Sequence, residues 1–376
     1  MTACLYISPD DVPALITDSL VTDTSLSGSK ILTPANDSIA SGNLNYSCAR
    51  LARKLYLFGE RTALSVAGDE GKILEFLSNI KPMVKYIEKE DRPMRLIGDA
   101  AEEYTKNNKR QIEVLGVSVA DVPNGLRINS TTGYFSETMP ILGKCGAIGS
   151  GTTEVLSLAK EWVADMLGTG TFKHDTKSTI LGFSSFICSE RLTQEFLKVH
   201  TDNYDWGGYV EHAYFNPEIK KWIRGGKRLH LFFVAFRMDE KRMTIALPKR
   251  LILYDPGEAD GHVLTVTIER DGTRQSREWL LENILEEDQS VARFRGPAYW
   301  NGWRPEAASF VIVLNDSPNG EPHCFISASS VEMKDVYFDM KSHSLEYGIS
   351  DQLMDNIGQQ YCASMGLKYI PHRTLS

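Results

Sequence analysis

No two cysteines in this chain stand at CxxC spacing. All six (Cys4, Cys48, Cys145, Cys188, Cys324, Cys362) are scattered, which excludes a clustered-thiolate metal or redox motif and reads as reduced, mostly buried thiols of a cytosolic protein. Basic charge is also in short supply. Lys and Arg total 41 against 49 Asp and Glu, a net −8, whereas phosphate binding needs a surplus of cations on one face, so nucleic acid is not an expected partner. No apolar run approaches the roughly 18 residues a membrane helix requires. The first thirty residues carry Asp10, Asp11 and Asp18 with no basic start and no apolar core, so neither a secretory signal nor membrane attachment is expected, and the location is expected to be cytoplasmic. His200, Asp202, Asp205, Glu211 and His212 crowd one stretch, but their spacing fits no standard metal site. The segment GSGTTE (Gly149 to Glu154) lacks the lysine of a phosphate loop. Neither metal nor cofactor is expected.

What is present describes an ordinary globular protein. The 376 residues are long for one domain and comfortable for two, with 42% hydrophobic and 10% aromatic residues. ACLYIS and VPALITDS read as strands around a Pro9-Asp10-Asp11 turn, so Thr2 and Asp18 begin and end a hairpin. A polar stretch, Asp23 to Ser47, reads as a loop. KLYLFG and TALSVAG form a second hairpin around Gly59-Glu60, and a helix starts at GKILEFLSNI, with another near 94–109. QIEVLGVSVAD and RINSTTGYF flank the hairpin signal Asn124-Gly125. GAIGSG leads through a tight turn into an amphipathic helix, a second long helix covers about 189–200, and GYVEHAYF and IKKWIRG are strands. Strands and helix pairs in this order predict an α+β protein, a four-layer αββα sandwich over residues 2–226 with an extra loop at about 23–53.

Thr2 is the residue of greatest chemical interest. A threonine at a chain start, once Met1 is trimmed, carries its nucleophilic hydroxyl and its own base, an α-amine of ordinary pKa about 7.7–8.0. Five blocks follow it in order: DSLVT (Asp18 to Thr22), KLYLF (Lys54 to Phe58), SVAGDEGK (Ser65 to Lys72), AIGSG (Ala147 to Gly151) and TDNYDWGG (Thr201 to Gly208). Together with Thr2 they resemble the proteasome β-subunits and HslVU-type peptidases among the N-terminal nucleophile hydrolases. The resemblance implies a threonine peptidase or amidase. In it Thr2 attacks an amide, Lys54 lowers the pKa of hydroxyl and amine, and Asp18 holds Lys54 charged. Gly68 offers its N–H to the oxyanion, while Ser150, Asp202 and Asp205 hold the terminal amine. Leu20, Thr22 and Val66 would flank the substrate, and Leu20 with Val66 would favour apolar side chains. Lys30 competes for the lysine role, but it leads into a loop. Implied partners are a peptide or protein substrate and further copies of the chain, with room for a regulatory or ATPase partner.

Each residue taken singly also has a plain role: Asp18 as a strand-end turn residue, Lys54 as a solvated edge lysine, Gly68 as a helix-entry glycine. Leu20 stands where the resemblance has a polar residue, and Asp205 where it has serine, so a non-catalytic scaffold that binds partners is a rival reading. An amidohydrolase acting on a small non-peptide amide is another. Residues 227–376 read as an α+β extension of unassigned role, with HLFFVAF, MTIAL, RLILYD, VLTVTIE, ASFVIVLND and HCFISASS as strands. REWLLENILEE and ISDQLMDNIGQQYCASMG read as helices. Tyr299, Trp300 and Trp303 present either a contact surface or core packing.

Overall fold

The computed structural model describes residues 2–21, 30–35, 46–48, 50–87, 97, 99–100, 102–104, 112–122, 125–130, 135–169, 175–197, 206–246, 248–257, 260–268, 273–283, 296–300, 302–314, 324–329, 336–341 and 344–371. The fold is mixed α+β, with far more sheet than helix. A six-stranded sheet runs, in spatial order, β11 (Phe135–Met139), β12 (Gly143–Ile148), β1 (Cys4–Ile7), β2 (Ala14–Asp18), β13 (Val210–Asn216) and β14 (Lys221–Arg224). A four-stranded sheet runs β10 (Gly125–Ser130), β9 (Ile112–Val122), β8 (Thr62–Gly68) and β7 (Leu55–Phe58).

Alternation along the strands decides how these sheets stack. In β1, Leu5 and Ile7 belong to the core under helices α2 (Thr152–Thr169) and α3 (Thr176–Leu197), while Cys4 and Tyr6 face the second sheet. In β8, Ala63 and Ala67 meet that inter-sheet core, whereas Leu64 and Val66 pack under α1 (Glu70–Ile87) with Ile73, Phe76 and Leu77. A strand covered on both faces has no polar face to show, which is why CLYI reads as an unbroken apolar run.

A third sheet of ten strands runs β21 (Cys324–Ser329), β20 (Ala307–Leu314), β15 (Arg228–Arg237), β17 (Arg250–Asp255), β18 (Gly261–Ile268), β19 (Arg274–Glu282), β6 (Arg50–Ala52) and β3 (Leu20–Val21). Branches β16 (Arg242–Ile245) and β24 (Lys368–Tyr369) extend it from β15. Two small ladders, β4 (Lys30–Leu32) with β5 (Tyr46–Cys48) and β22 (Val336–Lys341) with β23 (Ser344–Ile349), complete the strands. Helix α4 (Pro297–Trp300) and helix α5 (Asp351–Ser364), capped by Ser350 Oγ accepting from Leu353 N at 3.2 Å, follow in the C-terminal region. Two short strands from the N-terminal region, β3 and β6, are hydrogen-bonded into this sheet. Leu20, Leu51, Phe232, Tyr254, Trp279 and Val311 share one core with α3.

This third sheet corrects the simple four-layer expectation, because α3 lies against strands on two sides. Its buried set includes Ser184, Ser185, Ser189, Thr193 and Glu195 besides Ile180, Phe183 and Leu192. A helix buried most of the way round shows no clean apolar stripe. Its start at Thr176, well before the expected 189, was hidden for that reason. The helix expected from REWLLENILEE is instead strand β19 as far as Glu282, because Trp279 and Leu281 point inward at a period of two. The stretch 23–53 contains strands β4, β5 and β6 rather than loop alone. Trp300 and Trp303 are buried in the core beneath the C-terminal sheet, so they form no contact surface. The Asn124 turn residue and most of the helix expected at 94–109 lie outside the described residues. No described helix is long and apolar enough to cross a membrane.

Candidate active site

The start of β1 is an interior place. Thr2 is 2% exposed, and the β12–α2 turn closes over it. Thr2 N donates to Ser150 Oγ at 3.2 Å, and Thr2 O accepts from Gly151 N at 3.1 Å. Gly149 reaches this position with φ +90, where a Cβ would lie 2.1 Å from Thr2 O. Only glycine combines that backbone conformation with so close an approach.

Asp18, at the end of β2, gathers the other groups. Its Oδ1 accepts from Ala3 N at 2.9 Å and from Lys54 Nζ at 3.1 Å, and its Oδ2 accepts from Gly207 N at 2.9 Å and again from Lys54 Nζ at 3.1 Å. Lys54 Nζ also donates to Leu20 O at 2.7 Å. Both side chains are buried, so the pair is sheltered from water and salt, and every contact is a charge-assisted hydrogen bond. One carboxylate oxygen thus links the amide beside Thr2 to an ammonium.

The turn carrying Gly207 is braced from behind. Glu195 Oε1 accepts from Gly208 N at 2.9 Å and pairs with Arg191 Nε at 3.4 Å. The Arg191 guanidinium lies 4.9 Å over the Trp206 ring, whose Nε1 donates to Glu154 at 2.7 Å. Burial, ahead of every charge effect, holds the Glu195 carboxyl above its usual range. Burial first, and then Asp18, push the Cys4 thiol well up, so it stays protonated and forms no second nucleophile.

Thr2, Asp18, Lys54 and Ser150 are therefore brought together. Gly68 sits exposed at the end of β8 with φ 128, one residue from Ala67, whose Cβ a Cβ on Gly149 would meet at 3.3 Å. Leu20 and Val66, expected beside the substrate, have fully buried side chains, Leu20 in the core with α3 and Val66 under α1. What Leu20 brings to the site is its carbonyl. Thr22, Asp202 and Asp205 lie outside the described residues. Of the metal-like cluster, His212 bonds Ser184 Oγ at 3.0 Å and Glu211 accepts from Tyr254 OH at 2.8 Å. Among the described residues no group of His, Cys, Asp and Glu could hold a metal ion.

Sequence reasoning missed Gly149, Gly207 and Glu113 as members of the site. Glu113 Oε2 accepts from Gly149 N at 2.8 Å and steadies the turn over Thr2. The glycines were visible as turn residues, but their partners are set by strand order; Glu113 carried no local signal.

No family model matches this chain, and no curated protein does. Among solved structures, an Anbu (Gly-1) mutant from Hyphomicrobium sp. strain MC1 matches at 12% identity over 60% of this chain and 87% of that one, with a TM-score of 0.38. The expected kinship with proteasome β-subunits and HslVU-type peptidases is corrected by these findings. The blocks that suggested it are short, and several are rich in glycine and small polar residues, the composition of turns in many folds.

Proposed function

We propose that this chain is an amide hydrolase whose nucleophile is Thr2, freed at the chain start by removal of Met1. The observation that carries the proposal is the bridge built by Asp18, one oxygen accepting from both Ala3 N and Lys54 Nζ. A threonine whose neighbour Ala3 is tied through Asp18 to a buried ammonium has its hydroxyl and its α-amine both drawn toward their deprotonated forms. In the first half-reaction the Thr2 hydroxyl oxygen bonds to the amide carbonyl carbon while the α-amine takes the hydroxyl proton. The tetrahedral adduct then collapses to an ester on Thr2 as the C–N bond breaks, and the ammonium returns the proton to the leaving amine. Water, deprotonated by the same amine, cleaves the ester and restores Thr2. Ser150, holding Thr2 N at 3.2 Å, orients the base, and the Gly68 N–H is assigned as donor to the oxyanion.

A panel of fluorogenic peptide amides tests this with Thr2→Ala as the comparison. The wild-type protein is expected to release fluorophore and the folded variant to release none. Equal turnover by both would remove Thr2 from the chemistry.

A further inference from the structure

Lys54 does not place itself. It stands on a two-residue connection, Arg53-Lys54, between β6 in the third sheet and β7 in the second. Arg53 is fully buried and is held by both its backbone and its side chain. Its N–H donates to Glu282 O at 2.9 Å, and its carbonyl accepts from Tyr56 OH at 2.6 Å. Its guanidinium donates to Pro256 O and pairs with Glu211 at 3.3 Å, and Glu211 is in turn fixed by Tyr254 OH. Glu282 ends β19, Tyr254 lies in β17, and Pro256 directly follows β17. Of these partners, Tyr56 and Glu211 lie outside the C-terminal region.

We infer that Arg53 is a positioning residue, the strap by which the otherwise unassigned C-terminal sheet sets Lys54 against Asp18. This inference rests on the proposed role of Lys54 beside Thr2. The parallel pairing of β6 with β19, Leu51 to Leu281 and Ala52 to Glu282, fixes the chain up to residue 52. The Arg53 fork then fixes the next peptide, whose Lys54 carbonyl accepts from Val66 N at 3.1 Å. A lysine side chain has many rotamers, and its ammonium stays on Asp18 and Leu20 O only if its Cα is placed. A planar, always-charged fork suits that task, and a point charge does not replace it.

The test follows the Thr2 α-amine itself. Competitive acetylation with acetic anhydride across pH, with the N-terminal peptide quantified by mass spectrometry, gives the amine pKa without any substrate. Hydrolysis of the fluorogenic peptides gives kcat and KM beside it. In Arg53→Met the ammonium drifts from the site, and the amine pKa is expected to rise by about one unit. The kcat is expected to fall at least about 10-fold, with KM unchanged. Arg53→Lys, which keeps a charge beside Glu211 but loses the fork, is expected to shift the same way by less. Lys227→Met, which removes the 3.1 Å partner of Asp255 at the rim of the same sheet, is expected to leave both readings as in the wild type. Where Arg53→Met fails to fold, Arg53→Met/Glu211→Gln removes both charges and is read identically. A folded Arg53→Met, double variant or Arg53→Lys with wild-type amine pKa and kcat overturns the inference. Hydrolysis surviving in Thr2→Ala instead overturns the nucleophile, while the amine pKa still decides whether Arg53 positions Lys54.

Discussion

Gly149 and Asp18 show how little freedom individual residues have here. Gly149→Ala forces a Cβ at φ +90 against the Thr2 carbonyl, so a stability loss of more than about 1 kcal/mol is expected together with loss of hydrolysis. Asp18→Asn keeps the shape but leaves the Lys54 ammonium buried without its counter-charge, a change that costs about 3–5 kcal/mol in comparable buried pairs. Urea denaturation of both variants checks these values, and stability within error of wild type in either contradicts the corresponding assignment. Much of this was legible in the sequence: Thr2, Asp18, Lys54 and Ser150 were each marked by residue type and by neighbours in short blocks. Leu20 and Val66 were misplaced as substrate contacts, because residue type alone cannot say whether an apolar strand residue lines a cleft or is covered by a neighbouring layer. The peptide groups of Ala3 and Gly207 that complete the Asp18 shell belong to the backbone, and no side-chain pattern announces them.

The helix pair α2–α3 carries an unmatched carboxyl. Burial first, and then the charge of Glu161, raise the Glu190 carboxyl to about 7. A carboxyl with a folded pKa above its unfolded value, about 4.3, adds stability below that unfolded value and loses it as pH rises through about 7. Glu190→Gln is therefore expected to stabilise the protein by about 1–2 kcal/mol at pH 8 and to change little at pH 4. Thermal melts at the two pH values test this, and an equal shift at both contradicts it. The hairpins were legible, since β1–β2 and β7–β8 each flank a short local turn signal. Helix α3 and strand β19 were not. The first is buried by two sheets and lacks a stripe, and the second takes its identity from pairing with β18 along its whole length.

Across the whole molecule, α3, β13 and β15 meet in a layer that holds two neutral histidines. His212 and His230 are both fixed well below the ordinary histidine pKa, first by burial and then by Arg228. His230 bonds Ser189 Oγ and Tyr209 OH, each at 3.0 Å. A depressed folded pKa means the unfolded chain binds the protons, so this stability is present above about pH 6.5 and is lost as pH falls below it. The slope for two such groups is roughly 2.7 kcal/mol per pH unit. Glu190 works in the opposite sense over part of this range, so the measurement belongs in the Glu190→Gln background. Stability independent of pH between about 6.5 and 5 would contradict the neutral histidines. The way β6 joins the C-terminal sheet, bringing β3 with it, was illegible, because the pairing of β6 with β19 spans more than two hundred residues and leaves no local trace. Glu211 on β13 of this layer pairs with Arg53, the residue before Lys54, and the chemistry proposed at Thr2 needs a free amine there. The intact mass of the purified protein tests that need directly. A mass lower than the encoded 376 residues by one methionine is the predicted result, and a population retaining Met1 would contradict the account at its centre.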